Sequence, residues 1–186
     1  MFAISADGEL LDTIHEGNFY GLCTSGDIVY ALEYNTHQIY TFQYKYGIWT
    51  QLKTLPLAKL KHSKYNQLAN TLQVVNDHIY VYIWGFDTVY RYNKNGVLTG
   101  QFGSEGKGGN AGRLYAGRLC GHDKTGSLLV CDRDNKRIQV LGADGKWTMT
   151  CLKHLKFAPL YAVPVSRDMF WVMDTERNMH VFKVNG

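Results

Sequence analysis

Turn glycines recur along this chain at nearly fixed intervals, and that regularity limits the fold more than any other feature. Gly47, Gly96 and Gly145 stand 49 residues apart each time; Gly186 follows 41 later, and Gly8 precedes Gly47 by 39. Ahead of each lies the same order of signals, two apolar runs joined by a short polar turn. The copies are Gly26–Glu33 with Gln38–Phe42, Ile79–Ile83 with Val89–Tyr92, Gly126–Asp132 with Asn135–Leu141, and Phe170–Asp174 with Asn178–Phe182. Apolar runs this short, bounded by Gly, Asn and Asp, read as strands. The abundance of Tyr, 13 in all, suits a pleated surface, and 19 Gly against 3 Pro fits many tight turns. β-rich units with a period in the forties point to β-propeller blades. A sandwich of hairpins gives no reason for the units to share one register.

Each unit divides into four strands, A to D. The A strands are Asn18–Thr24, Asn70–Asn76, Ala116–Asp123 and Leu160–Ser166; B and C are the runs above; D is Trp49–Leu55, Val97–Phe102 and Lys146–Leu152. Phe2–Ser5 and Glu9–Ile14 add a C-like and a D-like strand, so seventeen are expected, one more than four blades need. The chain therefore reads as all-β, a β-propeller of four-stranded antiparallel blades with about four blades in a single domain, 1–186. Its repeat units span roughly 15–55, 68–103, 115–153 and 159–186, and residues 1–14 read as the end of a preceding blade.

The third unit carries a more specific pattern. Asp123-Lys124-Thr125-Gly126 forms a D-x-x-G turn, an apolar strand ends at Asp132, and Asn135-Lys136-Arg137-Ile138-Gln139-Val140 follows. This stretch resembles an NHL repeat, and Phe102-Gly103-Ser104-Glu105-Gly106 is similar to the F-G-x-x-G linker between such repeats. The other units are degenerate: the motif's Arg is replaced by Gln38, Thr88 and His180, and the Asp that ends strand B by Glu33 and Trp84 in the first two. The resemblance implies a ring that usually has six blades, so these four are part of a six-bladed ring or close as a small four-bladed one. The spare strand favours the larger ring, which would leave apolar blade faces open and self-association expected. Domains of this family often sit at the C-terminus of RING/B-box/coiled-coil proteins and select protein or RNA targets. Neither a RING, a B-box nor a coiled coil is read in these residues.

Several chemistries find no support. No run approaches the roughly 18 apolar residues that span a bilayer, so no membrane partner is expected. The N-terminus lacks the basic start and apolar stretch of a secretory signal, which suggests a cytoplasmic chain and leaves secretion open. A net charge of +4 permits an anionic partner without requiring one. Cys23, Cys120, Cys131 and Cys151 show no zinc spacing and read as buried thiols. Cys120 and Cys131 flank a turn symmetrically and are expected to face each other across a hairpin. The inner strands, such as Phe19–Cys23, Leu72–Val75, Arg118–Gly121 and Tyr161–Val165, read as apolar, with no convergent ligand set for a metal or other cofactor. His122-Asp123 and Asn76-Asp77-His78 read as turn chemistry, and no nucleophile elbow is present. No enzyme is expected. Asp132 with Asn135 and Arg137 reads as structural, the carboxylate satisfying turn N–H groups and pairing with Arg137 between blades. Gly103–Gly109 reads as a flexible inter-blade loop.

Loops joining D to A, and B to C, emerge on one face of a propeller. That face collects Lys59, Lys61, Lys64 and Tyr65, then Lys107, Arg113 and Tyr115, then Arg133, Lys136 and Arg177. The acids Glu33, Asp87, Glu105, Asp132, Asp134, Asp174 and Glu176 are assigned to the same face and offset its charge. The function expected is non-catalytic recognition of a protein partner by this face. Single-stranded RNA is the alternative, held by phosphate contacts and by stacking on Tyr65 and Tyr115. A carbohydrate-binding propeller is a distant third.

Overall fold

The computed structural model describes residues 1–4, 10–13, 17–33, 36, 38–57, 69–84, 86–105, 112–122, 125–166 and 169–183. Every regular element among them is a strand, and no helix there is long and apolar enough to cross a membrane. β1 (Phe2–Ile4) and β2 (Leu10–Thr13) form an antiparallel pair. The first sheet is β3 (Phe19–Ser25), β4 (Ile28–Glu33), β5 (Gln38–Lys45) and β6 (Ile48–Pro56). The second is β7 (Ala69–Val75), β8 (His78–Ile83), β9 (Thr88–Asn93) and β10 (Leu98–Phe102). A short parallel pair, β11 (Ser104–Glu105) with β12 (Arg113–Leu114), lies in the linker read as a flexible loop. The third sheet is β13 (Gly117–His122), β14 (Leu128–Asp132), β15 (Arg137–Leu141) and β16 (Trp147–Leu152). The fourth has three strands, β17 (Pro159–Pro164), β18 (Met169–Asp174) and β19 (Met179–Lys183).

Each sheet is a meander in chain order, and the inner strands pack consecutively, β3 on β7, β7 on β13 and β13 on β17. This is the β-propeller arrangement. Three apolar layers fill the spaces between sheets. Leu32, Ile39, Leu55, Leu72, Val81 and Ile83 lie between the first and second; Tyr80, Tyr82, Leu119, Leu128 and Val130 between the second and third; Leu129, Cys131, Ile138, Ala162 and Val172 between the third and fourth. Side chains alternate across a strand, so in β8 Ile79, Val81 and Ile83 face the first sheet while Tyr80 and Tyr82 face the third. A strand buried on both faces reads as one unbroken apolar run, which is why these strands show no polar alternation.

Turn geometry explains the glycine period. Gly47, Gly96 and Gly145 all have left-handed φ, at 80°, 77° and 83°. A Cβ on Gly145 would lie 2.5 Å from the Phe102 ring, so the linker aromatic of one unit seats on the turn of the next. Asn76 and Asp77, at φ 49° and 60°, make the type I′ turn of a two-residue hairpin.

Register departs from the sequence reading at three points. The pairs just before the inner-strand bulges are Phe19↔Glu33, Ala69↔Ile83 and Pro159↔Asp174, so Ile83 rather than Trp84 stands at the strand-ending acidic position. An apolar run buried on both faces does not reveal its phase, and a one-residue slip exchanges the faces. Second, Asp132 and Arg137 are direct cross-strand partners within the third sheet, with no pairing between blades. Third, Cys120 falls in a bulge while Cys131 opposes Arg118, so the two are not paired directly, yet their side chains meet across the strands in a hydrogen bond. Cys23, Cys120 and Cys131 are thiols, none of them in a disulfide. Among the described residues, β17 and β3 show no packing comparable to that of consecutive inner strands.

Candidate functional site

Five of the ten residues assigned to the loop face, Lys59, Lys61, Lys64, Tyr65 and Lys107, lie outside the described residues. Of the rest, Arg113 is exposed, and its carbonyl accepts from Arg137 Nη2 at 2.6 Å and Gln139 Nε2 at 2.8 Å. Tyr115 is half-buried and its N–H is spent on Asp132 Oδ1 at 2.8 Å. Lys136 and Arg177 occupy equivalent left-handed turn positions, at φ 51° and 70°, with exposed side chains. Their N–H groups close the turns onto Arg133 and Asp174 carbonyls at 3.1 Å each.

Arg133 lines a pocket. About 220 Å³ is enclosed between Trp84 from the β8–β9 turn, Ala116 to Arg118 at the start of β13, Arg133 from the β14–β15 turn, and Pro159 and Leu160 opening β17. Three consecutive sheets thus contribute, the third and fourth through the starts of their inner strands and the second through the turn after β8. The floor is held by a buried network. Tyr82 donates its hydroxyl proton to Asp87 and accepts the Gly117 N–H at 2.6 Å, while Asp87 Oδ1 takes the Ala116 N–H at 3.0 Å. Burial, with the Asp87 carboxylate, pushes the Tyr82 phenol far above its ordinary pKa, so it stays a donor. A Cβ on Gly117 would lie 2.9 Å from the Tyr82 ring, so a larger residue would force this floor apart.

Two guanidinium groups and an indole form the walls. Arg118 lies 4.7 Å over the Tyr161 ring and donates to its hydroxyl. Arg133 Nε donates to Asp134 Oδ1 at 2.8 Å, a bond that raises the Arg133 pKa further and keeps it charged. Trp84 is 50% exposed. Planar cations beside an aromatic face recognise carboxylates bidentately and stack on flat groups. No group of three or more His, Cys, Asp or Glu suited to a metal ion occurs among the described residues.

Trp84 and Arg118 were not singled out in the sequence. The one available signal was an Arg among apolar inner-strand residues and a Trp where a turn residue is usually polar. The acids assigned to the face also need correction. Asp87, Asp132 and Asp174 are 5%, 0% and 3% exposed and turned inward onto N–H donors, so they do not present carboxylates to a partner. Backbone donors at turns draw short acidic side chains inward.

No family model and no curated protein matches this chain. Solved structures do. A structural genomics protein of unknown function from Bacteroides thetaiotaomicron aligns at a TM-score of 0.68 and 14% identity, over 91% of this chain and 48% of its own. Virginiamycin B lyase from Staphylococcus aureus aligns at 0.55 and 14%, over 90% and 56%, and apo AztD from Citrobacter koseri at 0.56 and 13%, over 91% and 48%. The computationally designed Ika4 protein aligns at 0.54 and 14%, over 92% of this chain and 94% of that one. The chain thus spans about half the length of the three natural proteins. These likenesses establish the β-propeller fold; the finer likeness to NHL repeats rests on the residues of the third unit.

Proposed function

We propose that this chain is a non-catalytic recognition module whose loop face binds a protein partner, with an acidic side chain of that partner seated between Arg118 and Arg133 and against Trp84. The observation that carries this reading is the pocket shared by three consecutive sheets, in which two guanidinium groups share about 220 Å³ with a half-exposed indole. Arg and Trp dominate binding energy at protein interfaces when they sit in such depressions. The alternative, single-stranded RNA, draws on Lys59, Lys61, Lys64, Tyr65 and Lys107, which lie outside the described residues.

Fluorescence polarisation with a random peptide library enriched in Asp and Glu, alongside a mixed single-stranded RNA pool, separates the two. Peptides should bind, and Arg118→Ala or Trp84→Ala should weaken them by about 30-fold or more, the scale of a hot-spot residue. If only RNA binds, with a log K against log salt slope that loses about two units in the triple Lys59, Lys61, Lys64→Ala variant, the RNA reading replaces this one.

A further inference from the structure

The fourth sheet carries an apolar face that is largely open, with Arg118 of the third sheet lying over its Tyr161 ring. Its β17–β18–β19 register places Tyr161, Met173 and Met179 in one row across the strands and Val163, Trp171 and Val181 in the next. Five of these six are open, at 40% for Tyr161, 54% for Val163, 48% for Trp171, 59% for Met179 and 65% for Val181. The opposite face, with Ala162, Val172, Phe170 and Phe182, packs on the third sheet. A sheet with one face in water alternates apolar with polar residues; these rows are apolar on both sides. At the other end of the chain, Tyr20 and Leu22 of β3 point away from the second sheet and are each 57% exposed, while Ala31 and Phe42 on that same face are buried. The first sheet is therefore covered on its outer strands and open on its inner one.

We infer that two copies of this chain join head to tail, the open face of the fourth sheet of each copy covering the open inner edge of the first sheet of the other. Two such junctions, related by a two-fold axis along the ring, close one larger propeller. This goes beyond the loop-face reading and does not depend on it. Three internal junctions already show the fit. The side of the second sheet bearing Tyr80 and Tyr82 receives Leu119, Leu128 and Val130, and the side of the third bearing Leu129 and Cys131 receives Ala162 and Val172. Trp171 and Met173 occupy the positions of Tyr80 and Tyr82 in this repeat, and Leu22, open on the inner strand of the first sheet, lies at the position of Leu119. A second copy thus presents, by repetition, the surface that the open face is shaped to take. The length agrees as well, since one chain spans 48% of the Bacteroides and Citrobacter propellers. Closure removes both exposed apolar faces at once, and a closed two-fold assembly avoids open-ended growth.

Sedimentation velocity on the 186-residue chain, run over a wide concentration range, tests this. A dimer is expected. Trp171→Glu on one face and Leu22→Lys on the other should each weaken it by about a hundredfold, as loss of an interface anchor does. Both side chains are half-exposed, so circular dichroism should be unchanged; Val181→Lys serves as a second variant of the fourth-sheet face. Mixing Trp171→Glu with Leu22→Lys should restore a heterodimer, because one junction then pairs the two opposite charges and the other is wild type. A monomer at every concentration overturns the proposal and is the result expected if further blades of a longer chain cover these faces. Open-ended polymers, or a dimer indifferent to all three substitutions, overturn it equally.

Discussion

The third and fourth sheets place a carboxylate at the same strand end and surround it differently. Asp132 accepts from the Tyr115 N–H, from Asn135, from Arg137 Nε at 2.7 Å and from Gln139 Nε2 at 2.9 Å, with Arg137 and Asp132 both buried. Asp174 accepts from the Glu176 and Asn178 N–H groups and from His180 Nε2, all at 2.8 Å. The difference lies in reach. Arg137 extends past the carboxylate to the Arg113 carbonyl and ties the preceding linker to the sheet. His180 stops at Asp174 and instead stacks on Phe157, with ring centroids 3.8 Å apart. One motif therefore locks a blade to its linker through a buried ion pair, while the other reaches its linker by a ring stack on Phe157 and the Thr175 N–H bond to the Ala158 carbonyl.

Removing the two carboxylates should separate these roles most widely. Asp132→Ala leaves Arg137 buried without a counter-charge and should cost about 3–5 kcal/mol in urea unfolding. Asp174→Ala should cost less, because Glu176 and Asn178 are exposed and recover water. Equal losses would break the comparison. Core truncation is the next largest effect. Ile138→Ala, at 0% exposure, should cost about 2–4 kcal/mol, whereas Val181→Ala on the open face should stay within about 0.5 kcal/mol in dilute solution. A smaller change exchanges the partners. Arg137→His cannot reach Arg113 and should cost about 1–3 kcal/mol, and His180→Arg should be close to neutral. The smallest expected effect is on pH. The hydrogen bond from His180, aided by Asn178 and the Glu176 N–H, holds the Asp174 carboxyl down at about 2. Because that pKa is depressed, the stabilisation is complete above the usual carboxylate pKa of about 4 and fades as pH falls toward 2. His180→Phe should flatten the acid limb of the thermal midpoint in that window; an unchanged limb would remove His180 from the account.

Much of the fold was legible because its signals are local. Left-handed turn glycines and short apolar runs announce strands without reference to anything distant, and the three four-stranded sheets follow them closely. Phase was not legible where both faces of a strand are buried, which is why Trp84 was placed at the position that Ile83 holds. The site was legible in part. Arg133 sits in a polar turn, was assigned to the loop face and lines the candidate pocket, while Arg118 lies in an inner strand read as apolar.

Short apolar runs, turn chemistry and the repeat period thus determined, from sequence alone, that this chain makes antiparallel blades. Each depends on residues close in sequence, whose backbone preferences act before any long-range contact forms. Which acids turn inward, which cations share a pocket and which sheet faces stay open were decided only by tertiary structure. Those outcomes depend on the order in which blades stack, bringing Trp84, Arg118 and Arg133 together from three sheets while leaving Trp171 and Val181 with no neighbouring blade among the described residues.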